Sequence, residues 1–242
     1  MKSCTITGSN GFLGGALKKR LESEGWETYE TMRPDVDYVF LFGSPSSDHW
    51  YKYALSYSLR ETIENFINAA DFCKEHNIKL IYPTSGTVNE GNTPYSKGKQ
   101  IIETIASLYP NNLGVKIYAG YGVGEGHKGE YASIVYQFTK EMILRKRPVI
   151  WGDGTQTRDF IYIDDIIDNI IKFKDEQGIK EIGTGISHSF NGIVEVINTI
   201  LGTDIKPEYM EQPKFYIENT VCANPCEFNV HLAEGIKRII NE

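Results

Sequence analysis

Tyr95-Ser-Lys-Gly-Lys99 sets a phenol and an ammonium four residues apart, a spacing that puts both on one face of a helix. A nearby ammonium stabilises phenolate and draws the tyrosine pKa down, so Tyr95 is a candidate general acid/base with Lys99 as its support. Ser85, upstream on the chain, can hydrogen-bond the same substrate oxygen. The Y-x-x-x-K spacing alone favours the plainer reading of two solvent-facing side chains. Its weight comes from order: a glycine loop, a serine after a strand, then this pair opening a long helix.

The glycine loop reads Gly8-Ser9-Asn10-Gly11-Phe12-Leu13-Gly14, with G-x-x-G-x-x-G spacing. It lies between a β-rich run at 2–7 and a segment where Phe12, Leu13, Ala16, Leu17 and Leu21 recur at helical spacing. Gly8 permits a tight turn, Gly11 lets a diphosphate approach the backbone, and Gly14 allows close helix–strand packing. The helix N-terminus offers its free N–H groups to phosphate, so Asn10, Phe12 and Leu13 join the three glycines as candidate cofactor-binding residues. In such folds an acid at the end of the second strand holds the ribose 2′-hydroxyl, and a base there suits a 2′-phosphate. That neighbourhood reads Thr31-Met32-Arg33, without the acid. Arg33 leans towards NADP, although Arg33-Pro34 is equally a plain surface turn.

Positioning these groups requires strands and helices in alternation. Strands are expected at 2–7, 27–32, 37–42, 79–82 (broken by Pro83) and 114–118, and helices at 12–21, 53–76 and 95–108. The nearly all-apolar 37–42 run suits a parallel strand buried on both faces. The expected fold class is α/β: a Rossmann-like doubly wound parallel sheet with a small C-terminal substrate lobe. Residues 1–119 form the dinucleotide-binding core with Ser85, Tyr95 and Lys99. Residues 120–242 form mainly the substrate lobe, with helices near 134–145 and 193–201 and some segments returning to the core.

Composition narrows the partners. With 242 residues, 40% of them hydrophobic, the chain can build one substantial core plus a small lobe. A net charge of −7 without a Lys/Arg run argues against nucleic acid. The longest apolar stretches are far too short to span a bilayer, and residues 1–7 lack a secretory pattern, which points to a cytoplasmic protein. The partner expected is a small molecule. Cys4, Cys73, Cys222 and Cys226 read as unconnected reduced thiols, and no metal site is expected, since two close sulfurs alone make a poor one.

These motifs resemble the extended short-chain dehydrogenase/reductases, in particular the NAD-dependent epimerase/dehydratase group acting on nucleotide sugars. Residues 8–14 resemble its cofactor loop, 83–88 its serine strand end, and 95–99 its catalytic pair. Gly152-Asp-Gly-Thr-Gln-Thr-Arg158-Asp-Phe-Ile-Tyr-Ile-Asp-Asp165 is similar to its substrate-lobe signature. The resemblance implies that Lys99 also orients the cofactor ribose and that Arg158 holds the substrate diphosphate, a task suited to paired guanidinium donors. Trp151 is a candidate contact for the nucleotide base, or else a structural aromatic beside a turn. Asp164 and Asp165 read as helix-capping residues. The family often forms homodimers through the helices corresponding to 53–76 and 95–108.

The departures from the family are informative. Between Met32 and Val36 a helix–strand–helix is absent, so the sheet is expected to lack its third strand and leave the adenine pocket open. Only nine residues separate Ser85 from Tyr95. Ala119 stands where many relatives carry a substrate-binding Asn, Asn89 replaces a usual Tyr, and the segment after Asn219 looks trimmed. Gly86-Thr87 occupies the place of the Asp-Glu pair typical of dehydratases, which argues against elimination. Three readings remain. The first is 4-epimerisation with bound NAD, with NADP left open as the cofactor. The second is NADPH-dependent reduction of a 4-keto sugar, and the third is a binding protein without turnover.

Overall fold

The structure, a computed structural model, describes residues 2–46, 48–88, 91, 93–212 and 216–242, the side chains of Asp48, His49 and Trp50 excepted. Asn89 lies outside the described residues. The chain divides into two compact units, one of residues 1–117 and 167–180, the other of 118–166 and 181–242.

The first unit opens with β1 (Ser3–Thr7), α1 (Phe12–Ser23), β2 (Glu27–Tyr29), β3 (Tyr38–Leu41), α2 (Asp48–Tyr53) and α3 (Leu55–His76). It continues through β4 (Lys79–Ser85), α4 (Pro94–Ala106) and β5 (Asn112–Ile117). Its sheet has six strands in the order β2-β1-β3-β4-β5 and then the later strand Gly178–Ile182. The pairs from β2 to β5 are parallel. The expected doubly wound sheet is present, and β2 stands at its edge where a third strand would continue it. The core on one face gathers Val39, Leu41, Phe66, Ala70, Leu80, Tyr82 and Ile102.

Three expected boundaries move. The second strand stops at Tyr29 rather than residue 32, because only Glu27, Thr28 and Tyr29 find partners on β1. The expected 53–76 helix breaks at Ala54, whose φ/ψ of −141°/52° is not helical, leaving α2 as a separate short turn. Pro83 does not end β4. The strand pairs with β5 as far as Ser85↔Ile117, whereas its other neighbour, β3, pairs only up to Ile81. Beyond Ile81 no ladder on that side needs the N–H that proline lacks.

The second unit contains β6 (Ala119–Tyr121), α5 (Ile134–Ile143), β7 (Val149–Trp151) and β8 (Thr157–Tyr162). Helix α6 (Ile163–Phe173) and strand β9 (Gly178–Ile182) run from one unit to the other. Then come β10 (Ser187–Ser189), α7 (Phe190–Leu201), β11 (Glu208–Met210) and α8 (Leu232–Ile240). Strands β10, β8 and β6 form one small sheet, and β11 and β7 another. The Asp165 carboxylate accepts from the backbone N–H of Asn229 (2.8 Å) and Val230 (3.0 Å), pinning the segment before α8. Asp164 pairs with Arg238 on α8 at 3.0 Å. The region after residue 219, expected to be trimmed, still ends in a helix that buries Leu232, Ile236 and Ile239. All four cysteines are free thiols. No helix among the described residues is long and apolar enough to cross a membrane.

Candidate active site

Glycine builds the loop after β1 in two ways. Gly8 has φ of +70°, and a Cβ on it would lie 2.7 Å from the Gly43 nitrogen, so the turn after β1 and the end of β3 meet backbone to backbone. A Cβ on Gly14 would fall 2.3 Å from the Gly8 carbonyl oxygen, so the first turn of α1 packs directly under the loop. The Gly11 N–H donates to the Gly8 carbonyl at 2.9 Å, closing the turn. No side chain caps α1, and no acid lies in its first turn. Asn10 and Gly11 are exposed, and Phe12 and Leu13 half-buried. A helix start without a competing carboxylate and with a bare loop in front of it suits a diphosphate.

The end of β2 differs from expectation. The residue after it is Glu30, an acid, whose carboxylate takes Lys18 at 3.0 Å. Hydrogen bonds from Lys18 and Ser9 hold its pKa below the usual carboxylate value, which ties it to the glycine loop. A strand running to residue 32 would put Glu30 inside it, and only its end at Tyr29 exposes Glu30 as the acid that follows. Arg33 donates from Nε and Nη2 to the two Asp35 oxygens at 2.9 and 2.8 Å. Its guanidinium also stacks on Tyr29, 4.2 Å from the ring centroid, so it covers the edge strand.

Ser85 is buried as the last residue of β4, with its hydroxyl 2.9 Å from that of Thr87. Helix α4 starts cleanly: Thr93 caps it by accepting from the Ser96 N–H at 3.2 Å, and Pro94 fills the first turn. One turn along, Lys99 is only 2% exposed. Its Nζ lies 5.8 Å from the Tyr95 ring centroid and donates to the Pro83 carbonyl at 3.2 Å. Burial pulls its pKa down to about 8. The structure thus brings Lys99 to the strand that carries Ser85 and sets Tyr95 beside it, with the glycine loop at the end of a parallel strand of the same sheet. This C-terminal edge is where ligands bind in open α/β sheets.

Tyr51, which sequence reading did not single out, is 1% exposed and meets the Tyr95 ring edge-on at 5.6 Å. No motif signals it.

In the second unit, Arg158 on β8 donates from Nη1 to the carbonyls of Thr157 (2.7 Å) and Glu218 (3.1 Å), and from Nη2 to Ile217 (2.5 Å). Its guanidinium lies 5.5 Å from the Phe190 ring and 5.6 Å from the Tyr216 ring. Trp151 is 46% exposed, so it is not a core aromatic. Ala119 begins β6.

The glycine loop after β1 and the Ser85–Tyr95–Lys99 group lie together on a Rossmann-type parallel sheet. The chain belongs to the NAD dependent epimerase/dehydratase family, whose model matches residues 28–182, more than half of the chain and including Ser85, Tyr95, Lys99 and Arg158. It is 28% identical over 203 residues to a putative UDP-glucose 4-epimerase of Methanocaldococcus jannaschii, covering 72% of this chain and 66% of that one. It is 29% identical over 160 residues to a UDP-glucuronate 4-epimerase of Thermodesulfobacterium geofontis, covering 62% and 50%. The chain thus spans about half to two thirds of these curated relatives. Its fold superposes on the UDP-glucose 4-epimerase of Thermotoga maritima, solved with UDP-glucose, with a TM-score of 0.88 at 20% identity, covering 99% and 97% of the two chains.

Proposed function

We propose that this chain is a nucleotide-sugar 4-epimerase that keeps NAD bound through its cycle. The observation that carries the reading is Lys99, buried beside the Tyr95 ring with its Nζ on the Pro83 carbonyl, two residues before Ser85. A buried lysine on one face with a tyrosine, next to a strand-end serine, suits proton removal from an alcohol.

In this mechanism Tyr95 takes the proton of the sugar C4 hydroxyl and later returns it. The Lys99 ammonium favours the phenolate form of Tyr95, and the Ser85 hydroxyl positions the reacting oxygen. Bound NAD would supply a reversible hydride acceptor for C4, so that no net oxidant would be consumed. Gly8, Asn10, Gly11, Phe12, Leu13 and Gly14 would hold its diphosphate, and Lys99 its nicotinamide ribose. NAD is favoured over NADP because both cations near the end of β2 are already paired, Lys18 with Glu30 and Arg33 with Asp35. Arg158 would hold the substrate diphosphate and Trp151 would face its base. The names of the curated relatives, both 4-epimerases of UDP-sugars, support the substrate class. Homodimerisation through α3 and α4 belongs to the same reading: Leu55, Tyr57 and Ile101 on these helices are exposed, and sedimentation would read the assembly directly.

Denaturing the purified protein and identifying the released nucleotide tests the cofactor: tightly held NAD supports the epimerase, and an empty site needing NADPH supports the reductase. Tyr95→Phe should then cost orders of magnitude in rate while ligand affinity is kept. A wild-type rate no higher than that of Tyr95→Phe would leave only a binding protein.

A further inference from the structure

We propose that Tyr51 is a positioning residue that fixes the ring of Tyr95, an inference that rests on the epimerase reading above. Tyr51 belongs to the short helix α2, yet its side chain is among the most deeply buried in the chain. Contacts with Thr62, Tyr95 and Gly98 help hold it there. Its hydroxyl lies 2.5 Å from Oγ1 of Thr62 on α3, itself buried. Its ring stands edge-on to Tyr95, centroids 5.6 Å apart and planes at 75°. It also fills the notch that Gly98 leaves on α4: a Cβ at Gly98 would lie 3.0 Å from the Tyr51 hydroxyl oxygen and 3.2 Å from Cε1.

Gly98 sits between Tyr95 and Lys99 on the helix, so the Tyr51 ring packs against the stretch that carries both reactive groups. Tyr95 is only half-buried, and its χ2 well is broad, so the ring contacts it makes restrain its orientation. An edge-to-face contact from a ring anchored at its far end to α3 supplies that restraint. Proton transfer needs the phenol oxygen within hydrogen-bond reach of the sugar hydroxyl, and a misplacement near 1 Å costs about 100-fold in rate. Tyr51 is only 1% exposed, which leaves little of it open to either bound molecule. Its loss should therefore lower kcat and leave binding alone.

The test compares Tyr51→Leu, which removes ring and hydroxyl, with Tyr51→Phe, which keeps the ring edge. Tyr51→Leu should reduce kcat about 10- to 100-fold with KM and NAD affinity within about threefold, and Tyr51→Phe should recover most of that loss. In a Tyr95→Phe background, Tyr51→Leu should have no further effect, because the group it positions is gone. Equal losses in both backgrounds, or a fall in NAD affinity parallel to kcat, would overturn the proposal. Should Tyr51→Leu fail to fold, Gly98→Ala presses on the same ring from the other side and should give the same kcat-only loss; an unchanged kcat there refutes the idea. Ring-carbon NMR of tyrosine-labelled protein reads the positioning without turnover. The Tyr95 signal, assigned by its absence in Tyr95→Phe, should move in Tyr51→Leu and stay in Tyr51→Phe. A wild type without turnover but with that shift would refute the epimerase reading and keep the contact, whereas an unmoved signal would refute the positioning role itself.

Discussion

Lys99 donates its Nζ proton to the carbonyl oxygen of Pro83 at 3.2 Å, tying the helix that carries Tyr95 to the strand that ends in Ser85. The bond exists because β4 runs past the end of β3: beyond Ile81 no strand on that side competes for the carbonyl. The proline that looks like a strand breaker is thus the acceptor that orients the lysine.

The desolvation of Lys99 gives a pH signature. Its folded-state pKa is lowered from 10.5 to about 8, so between those values the unfolded chain holds more protons than the folded one. Stability therefore rises with pH across that window, and the contribution is missing below about pH 8. Lys99→Met, with nothing to titrate, should look most stable relative to wild type below pH 8 and lose about 3 kcal/mol of that advantage by pH 10.5. Urea unfolding at pH 7, 9 and 10.5 measures it, and a constant difference would mean that the ammonium is well solvated.

Gly14→Ala should damage the cofactor loop more than its chemistry suggests. The added Cβ would sit 2.3 Å from the Gly8 carbonyl oxygen, a backbone atom that cannot swing aside. Either α1 moves away from the loop or Gly8 leaves its φ of +70°, and both disturb the diphosphate cradle. A loss of about 3 kcal/mol in stability is expected, with NAD binding reduced at least tenfold. Thermal unfolding and NAD titration check both; normal NAD affinity in a folded variant would disprove the assignment of the cradle.

These features were unequally legible. Glycine at fixed spacing is a backbone requirement written directly into residue type, so residues 8–14 could be read, as could Tyr95 and Lys99 from one helical turn. The end of β2 could not, because residues 27–32 are all compatible with a strand and only pairing with β1 decides where it stops; Glu30 was lost with that boundary. Strand β9 could not be placed among the segments returning to the core because Ile182 is its only fully buried residue, which leaves no alternation to see. Tyr51 escaped because its role depends on a notch at Gly98, a contact between segments far apart in sequence.

Arg33 gives a test of cofactor choice. Its guanidinium is engaged by both Asp35 oxygens, which uses the paired donors a 2′-phosphate would need. Asp35→Ala should release it and raise NADP affinity relative to NAD by about fivefold at low salt, shrinking as ionic strength rises. Parallel titrations with the two dinucleotides measure the ratio. If it does not change, Arg33 lies out of reach of the adenosine ribose.

Asp159, next to Arg158 in the same motif, should prove structural. It is fully buried, and its carboxylate accepts from Thr184 N (2.9 Å) and Oγ1 (2.6 Å), Gly185 N (2.8 Å) and Cys222 N (3.0 Å). Strand β8, the turn before β10 and the C-terminal segment thus converge on one side chain. Asp159→Ala would leave two buried backbone N–H groups and one partly buried one without their acceptor, at about 3–5 kcal/mol. Asp159→Asn keeps one oxygen for some of those donors but aims an NH2 group at the rest, so it should fall between wild type and alanine. Urea unfolding ranks the three proteins, and an alanine variant as stable as wild type would mean that water takes over the acceptor role.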